Sequence, residues 1–183
     1  SKARLFVTRR FQKSLLLFVF ILLLLSTVVG SAVVFLNAAA AFYIFLGALF
    51  YAIIYTVLLI RRPWMNIVIG GASGSFAVLA GAAAVDPVLG PVPILLALVL
   101  FFWTPSHFWS LAIAKHQEYA KVGLPMLPVV IGDQRTAVDV MANTLILVGF
   151  SILPYFYGLG WIYLVGAVSG GGYFIYQNYK MIL

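Results

Sequence analysis

Long apolar stretches alternate with short polar segments along the whole chain. Each stretch is about as long as the roughly 20 residues of helix that cross a hydrocarbon core. Six of them predict transmembrane helices, at residues 15–36, 40–60, 67–85, 91–114, 137–157 and 161–179.

Composition supports a membrane fold. Of the 183 residues, 64% are hydrophobic and 8% are charged, whereas about 25% of a typical soluble domain is charged. The mean hydropathy is +1.13. The sequence therefore predicts an all-α, multi-pass transmembrane bundle forming a single domain over residues 1–183. The absence of cysteine excludes disulfides and thiolate metal sites.

The basic residues give the bundle an orientation. With six crossings, all 11 Lys and Arg residues fall on one face, in the tail before residue 15, at 61–62, within 115–135 and at Lys180. Basic loops stay on the cytoplasmic side, so we expect an inner-membrane protein with both ends of this chain in the cytoplasm. The net charge of +7 does not indicate nucleic-acid binding, because the basic residues lie only between apolar stretches.

Polar residues within the fourth predicted helix indicate a functional surface. At 100° per residue, Trp103, Ser106, His107 and Ser110 point in one common direction, and polar groups at membrane depth are usually functional. Pro105 predicts a kink there. The four side chains therefore predict a polar stripe facing a cavity in the bundle, although His107 alone is equally compatible with a structural role.

The loop at 115–136 is long for a connection between two spans. Its first part suits a short helix carrying Lys115, Glu118 and Lys121 at spacings of three, which is also the pattern of a solvated helix with salt bridges. Pro125 and Pro128 exclude regular helix in the next part. A long ordered loop of this kind is usually functional, so we expect it to cover a site.

Two arginines precede the third predicted helix, and they suggest an anion site. Arg61 and Arg62 could be topology anchors, and Asn66 could cap the helix. Taken together, guanidinium groups and a helix start bind phosphate or carboxylate well. These features alone do not decide between an enzyme acting on a lipid-soluble anion and a transporter.

Three segments in order resemble one known family. They are Tyr55-Thr56 with Arg61-Arg62 and 66–71, then 103–105 with 107–109, then Glu118-Tyr119 with 123–130. This order resembles the haem O synthases, or protohaem IX farnesyltransferases, which are UbiA-type intramembrane prenyltransferases. The resemblance covers roughly residues 55–136, and the flanking helices fit in hydropathy.

The resemblance implies a reaction and its cofactor. Such enzymes bind farnesyl diphosphate through Mg²⁺, form an allylic cation and join the farnesyl group to a vinyl group of haem B, after which water addition gives haem O. Haem B is thus a substrate. Haem A synthase or terminal-oxidase assembly factors would be the protein partners, beside the lipid bilayer itself.

The resemblance also implies roles for individual residues. Lys115, Lys121 and Arg62 would bind the diphosphate, and Glu118 would contact Mg²⁺. Arg61 and Arg135 would pair with haem propionates, and Trp103 would contact substrate. The implied catalytic residues are His107, Asn66 and Tyr119.

The sequence departs from the family in two ways. It lacks the family's first acidic motif, and it shows six spans where the family has about nine. We therefore expect an incomplete chain, lacking about two helices at the front and one at the back, and inactive alone. The alternatives are a UbiA-type prenyltransferase acting on an aromatic quinone precursor, a transporter or assembly subunit, and a non-catalytic relative.

Overall fold

The structure is a computed structural model that describes residues 15–59 and 65–183. The described residues form helices joined by short turns, with no strand among them. The helices are α1 (Leu15–Phe35), α2 (Ala38–Leu49), α3 (Met65–Val85), α4 (Pro91–Ala114), α5 (His116–Lys121), α6 (Leu127–Ile131), α7 (Asp133–Ile152) and α8 (Trp161–Ile182).

The long helices have the length and surface of membrane spans. Among the described residues, five segments, one each in α1, α2, α3, α4 and α7, are long and apolar enough to cross a bilayer. Only 6% to 28% of the residues in these spans are buried within the chain, so most of their apolar surface faces outward, as lipid contact requires. The chain is a multi-pass helical membrane protein.

The sixth predicted span is a helix but is less apolar than the other five. Helix α8 has 22 residues, about 33 Å at 1.5 Å per residue. Glycines, tyrosines and the polar pair Gln177 and Asn178 lower its hydropathy, and it is not among the segments that satisfy the criterion for a span. Its length alone would allow it to cross.

Each long helix packs mainly on its neighbours in the sequence. Helix α1 contacts α2, α2 contacts α3, α3 contacts α4, α4 contacts α7, and α7 contacts α8. The short helices α5 and α6 lie in the loop between α4 and α7 and contact the end of α4. Helix α4 therefore occupies the middle of the row, beside the loop that was predicted to cover a site.

Two helices continue in other helical forms. Residues Phe50–Leu59 extend α2 as a π-helix, in which Thr56 Oγ1 donates a hydrogen bond to the carbonyl of Tyr51 at 2.8 Å. Residues Leu153–Tyr157 extend α7 as a 3₁₀-helix whose second residue is Pro154. π-Helical turns are rare and often border functional sites.

Candidate active site

An apolar cavity of about 410 Å³ lies between the π-helical end of α2, the first turns of α3 and the middle of α4. Its volume falls within the range of small-molecule sites. Tyr51 and Tyr55 form one wall and are stacked with ring centroids 5.9 Å apart. The opposite wall comes from α4, through Leu100, Trp103, Thr104 and Phe108.

Glycines on α3 make the floor of this cavity. Gly70, Gly71 and Gly74 all line it. A Cβ on Gly70 would lie 2.5 Å from Cδ2 of Tyr55, and a Cβ on Gly71 would lie 3.0 Å from Cβ of Thr104. The absence of side chains at these positions therefore lets α2 and α4 approach α3 and leaves room for an elongated or flat apolar ligand.

The predicted polar stripe on α4 is split between two faces, which corrects the sequence interpretation. Ser106 is fully buried against α7, and Ser110 Oγ donates to the carbonyl of Ser106 at 2.6 Å. His107 is exposed, and Trp103 is 40% exposed. The reason is that α4 lies between α3 and α7, so residues spread over a wide arc of its surface meet different neighbours.

Trp103 and His107 nevertheless form a unit. Their rings are stacked with centroids 4.5 Å apart and planes inclined by 9°. Phe108 packs edge-on against His107 at 5.5 Å. Trp103 lines the cavity, whereas His107 does not. The pair presents a flat aromatic surface beside the cavity.

A buried polar network that the sequence analysis missed holds α4 to α7 and α8. Asn143 Nδ2 donates to the carbonyl of Phe102 at 2.5 Å and to Ser106 Oγ at 2.8 Å. Ser106 Oγ and Thr144 Oγ1 lie 2.9 Å apart, and Asn178 Nδ2 donates to Thr144 Oγ1 at 2.7 Å. In sequence, an asparagine at the centre of an apolar span was the available signal.

This network surrounds the turn of α4 that contains Pro105. Proline has no N–H and displaces the preceding turn of helix, and Pro105 is buried in α4. Asn143 supplies amide donors to this turn from α7. The turn that carries Trp103 and His107 is thus fixed from the side opposite to the cavity.

The loop between α4 and α7 is folded, as expected. Gly123 and Gly132 have φ of +65° and +88°, conformations that glycine adopts without strain. His116 Nδ1 and Asp133 Oδ1 lie 2.6 Å apart and join the two ends of the loop. Leu127 is buried in a core cluster with Ile67, Trp109 and Val140. The loop therefore covers the ends of α3, α4 and α7.

The charged residues predicted for diphosphate and metal lie on this loop. Lys115 ends α4, and Glu118 and Lys121 lie on α5; all three are exposed, whereas Tyr119 is partly buried. Within the described part of the chain, Glu118 forms no ion pair with either lysine. The salt-bridge interpretation of α5 is therefore not supported, and the three charges remain available to a ligand.

The other predicted residues have different positions. Arg135 is exposed in the first turn of α7. Arg61 and Arg62 lie outside the described residues. Asn66 is only 2% exposed, and because α3 begins at Met65 it lies within the first turn and not before the helix. Its Nδ2 lies 3.9 Å from Sδ of Met126 in the loop.

The described residues contain no group of three or more His, Asp or Glu side chains placed to hold a metal. Mg²⁺ is commonly bound by one or two carboxylates together with substrate phosphates. One exposed carboxylate on α5, that of Glu118, thus fits a metal held mainly by a diphosphate. It does not form a metal site by itself.

Known proteins resemble this chain over most of its length. "Protoheme IX farnesyltransferase 2" of Paramagnetospirillum magneticum is 56% identical over 146 residues, which are 80% of this chain and 51% of that protein. "Protoheme IX farnesyltransferase 1" of the same organism is 60% identical over 136 residues, 73% of this chain and 48% of that protein. "Protoheme IX farnesyltransferase 1" of Cenarchaeum symbiosum is 47% identical over 146 residues, 80% of this chain and 49% of that protein.

The chain spans about half the length of these curated relatives. No solved structure matches it. The family model described as "UbiA prenyltransferase family" matches residues 1–182. This chain therefore belongs to the UbiA prenyltransferase family.

Proposed function

We propose that the whole protein transfers a farnesyl group from farnesyl diphosphate to a vinyl group of haem B and so forms haem O. The observation that carries this proposal is the apolar cavity of about 410 Å³, which lies close to the loop that bears Lys115, Glu118 and Lys121. An isoprenoid chain needs an apolar enclosure, and its diphosphate needs cations beside it. The names of the relatives point to the same reaction.

The cations have distinct roles in this proposal. Ionisation of an allylic diphosphate places negative charge on the leaving group, which positive groups fixed in advance stabilise. Lys115 and Lys121, with Arg62, bind the diphosphate; Arg61 and Arg135 pair with the propionates of haem B. The exposure of Lys115, Lys121 and Arg135 in the described residues supports these roles.

Glu118 contributes one oxygen ligand to a Mg²⁺ ion bound to the diphosphate. The ion supplies Lewis-acid neutralisation of the leaving group when it is bound. The carboxylate is exposed and lies three residues from each lysine on the sequence, so it can approach the same ligand as they do. Its negative charge also partly offsets the positive charges of Lys115 and Lys121.

The aromatic pair, Asn66 and Tyr119 complete the site. The stacked rings of Trp103 and His107 offer a flat face to the macrocycle of haem B. Asn66, which is buried beneath the loop, and Tyr119 on α5 form the catalytic set with His107. The site opens to the cytoplasmic side of the inner membrane, with both ends of this chain on that side, and haem O passes to haem A synthase or terminal-oxidase assembly factors.

Product analysis tests the proposal. The whole protein is expressed in membranes that lack haem O and is supplied with haem B, farnesyl diphosphate and Mg²⁺, and the haems are extracted and weighed by mass spectrometry. Haem O is the expected product. Glu118→Ala should lower its rate of formation by roughly a hundredfold, the usual effect of removing one group that stabilises transition-state charge.

Asp139→Ala is the matched control. Asp139 is also an exposed carboxylate, but it lies in the first half of α7, so its removal does not alter α5. It should retain activity. A farnesylated aromatic quinone precursor in place of haem O would overturn the choice of substrate. The absence of any prenylated product would overturn the enzymatic proposal itself.

A further inference from the structure

Two buried polar atoms lack hydrogen-bond partners among the described residues. They are Oδ1 of Asn66 and Nε1 of Trp109. Asn66 is 2% exposed and Trp109 is 8% exposed. Buried polar atoms are nearly always paired, with protein groups or with ordered water. The other fully buried polar side chains, such as Ser106, Thr144 and Asn178, meet this expectation through the network on α4, α7 and α8.

Turning over the side-chain amide of Asn66 would not give both of its polar atoms strong partners. Among the described residues its side chain makes one hydrogen-bond contact, from Nδ2 to Sδ of Met126 at 3.9 Å, and a thioether is a weak acceptor. If the amide were turned over, Nδ2 would be the atom without a strong partner. In either orientation, one polar atom of this side chain is free to bind something small.

The two side chains lie in one region, beneath residues 126–127 of the loop. Asn66 contacts Met126, while Trp109 shares a core cluster with Leu127 and with Ile67, the neighbour of Asn66 in sequence. One atom is an acceptor and the other a donor. A water molecule can donate to the first and accept from the second, and buried waters occupy such places in proteins.

This region adjoins the cavity wall. Ile67, which follows Asn66 in the sequence, and Phe108, which precedes Trp109, both line the cavity. Asn66 and Trp109 are not among the residues that line the cavity, so a water held by them lies behind the wall that Ile67 forms, where the loop covers it from the aqueous side.

We infer that Asn66 and Trp109 hold the water that adds to haem during the reaction. This inference rests on the proposed function. A vinyl carbon of haem B forms a bond to C1 of the farnesyl cation, whose bond to the diphosphate oxygen has broken. The adjacent carbon becomes cationic. The oxygen of the held water bonds to it, and the released proton leaves with the diphosphate.

A competing path fixes the readout. If no water is in place, the same cation loses a proton from carbon, also to the diphosphate, and yields an alkene lighter than haem O by one water. The ratio of alkene to alcohol thus reports the water site independently of the total rate. Because both products come from one cation, losses of enzyme or of substrate affinity do not change this ratio.

The experiment measures that ratio for the whole protein in membranes. Asn66→Leu removes both polar atoms at similar size, and Trp109→Phe removes the indole N–H. Each should raise the alkene-to-alcohol ratio about tenfold, the effect of losing one hydrogen bond to the water. Asn66→Asp keeps an acceptor and should stay close to the parent ratio.

Trp161→Phe is the matched control for the tryptophan, because Trp161 is 69% exposed at the start of α8, far along the chain from the cavity lining. Its ratio should equal that of the parent. Unchanged ratios in both Asn66→Leu and Trp109→Phe overturn the water site and leave the proposed function standing. If Trp109→Phe does not accumulate in membranes, Asn66→Leu decides alone.

Two further outcomes are distinct. If Asn66→Leu accumulates but forms neither product, Asn66 acts before water capture and the inference is overturned. If the parent protein itself forms no prenylated haem, the proposed function fails first, and the inference fails with it.

Discussion

Three glycines of α3 determine how closely the cavity walls approach one another. Gly70 faces Tyr55, Gly71 faces Thr104, and Gly74 faces Leu100, at 2.5, 3.0 and 3.4 Å from the Cβ that each glycine lacks. In lipid, close approach of this kind replaces the hydrophobic driving force that packs helices in water. The same small residues that pack the helices therefore also shape the cavity.

Gly70→Ala should reduce the cavity and weaken binding of the isoprenoid. The added methyl group must displace the ring of Tyr55, which also lines the cavity. Overpacking of this type costs about 1–3 kcal/mol. We expect the KM for farnesyl diphosphate to rise about tenfold, which corresponds to about 1.4 kcal/mol. Steady-state kinetics in membranes measures it.

Gly81→Ala is the control on the same helix, because no atom lies within 4 Å of the Cβ it would carry. It should leave KM unchanged. Equal KM values for the parent and Gly70→Ala would contradict the placement of the substrate in this cavity.

Single residues were predicted from sequence where their chemistry is unusual for their position. Asn66 and Glu118 stood out as polar groups at a helix start and in a basic loop. The predicted direction of the Ser106 side chain, toward a cavity, was wrong. A helical projection gives the angle of a side chain but does not identify the helix that it meets. Asn143 and Asn178 were missed for the same reason, since their importance depends on meeting Ser106 and Thr144.

The loop between α4 and α7 is held in place by contacts at its ends and in its middle. The pair between His116 and Asp133 connects its ends at 2.6 Å, with side chains 34% and 51% exposed. It is an ion pair only when the imidazole is protonated. Leu127 anchors the middle of the loop in the core. Together these contacts hold α5, with its charged residues, beside the end of α4.

Asp133→Ala should loosen this loop without unfolding the bundle. An exposed ion pair contributes about 0.2–1 kcal/mol, so opening of the loop should increase by at most about fivefold. Limited trypsin digestion at Lys115 and Lys121 would measure it, since both side chains are exposed.

Asp139→Ala again serves as the comparison, because Asp139 is exposed on α7 and lies outside the loop. Its digestion rate should match that of the parent. Identical rates for Asp133→Ala and Asp139→Ala would show that the pair does not restrain the loop.

The long helices followed closely from hydropathy, because a span must be both apolar and about 20 residues long. Helix α4 has the predicted bounds, and α1 and α3 differ from them by one or two residues. Helix α7 begins at Asp133 and not at 137, since its first turn is polar and lies outside the apolar stretch. The π-helix at Phe50–Leu59 could not be foreseen from hydropathy, because the segment is as apolar as α2.

At the scale of the molecule, the turns fall into two polar faces. Gln134 Nε2 donates to the carbonyl of Ile182 at 2.8 Å, so the loop and the end of α8 lie on one face with the start of α3. Asn37 Nδ2 donates to the carbonyl of Ala83 at 2.6 Å and joins the first turn to the end of α3 on the other face. The grouping of loops inferred from charge agrees with these contacts.

The side of the membrane that each face meets is a prediction of the charge pattern, and cysteine labelling tests it. This chain contains no cysteine, so single substitutions at exposed positions report cleanly. Val88 is 80% exposed in the turn before α4, and Val122 is 60% exposed in the loop after it. The reagent is a maleimide that cannot cross the inner membrane, applied to intact cells whose outer membrane admits it. It should label Val88→Cys directly. It should label Val122→Cys only after permeabilisation, because basic loops remain cytoplasmic. Leu183→Cys, at a position that is 87% exposed, should behave like Val122→Cys if the less apolar α8 crosses the bilayer. The reverse pattern at Val88 and Val122 would invert the topology and place the basic loop outside the cytoplasm. Labelling of Leu183→Cys without permeabilisation would show that α8 does not span.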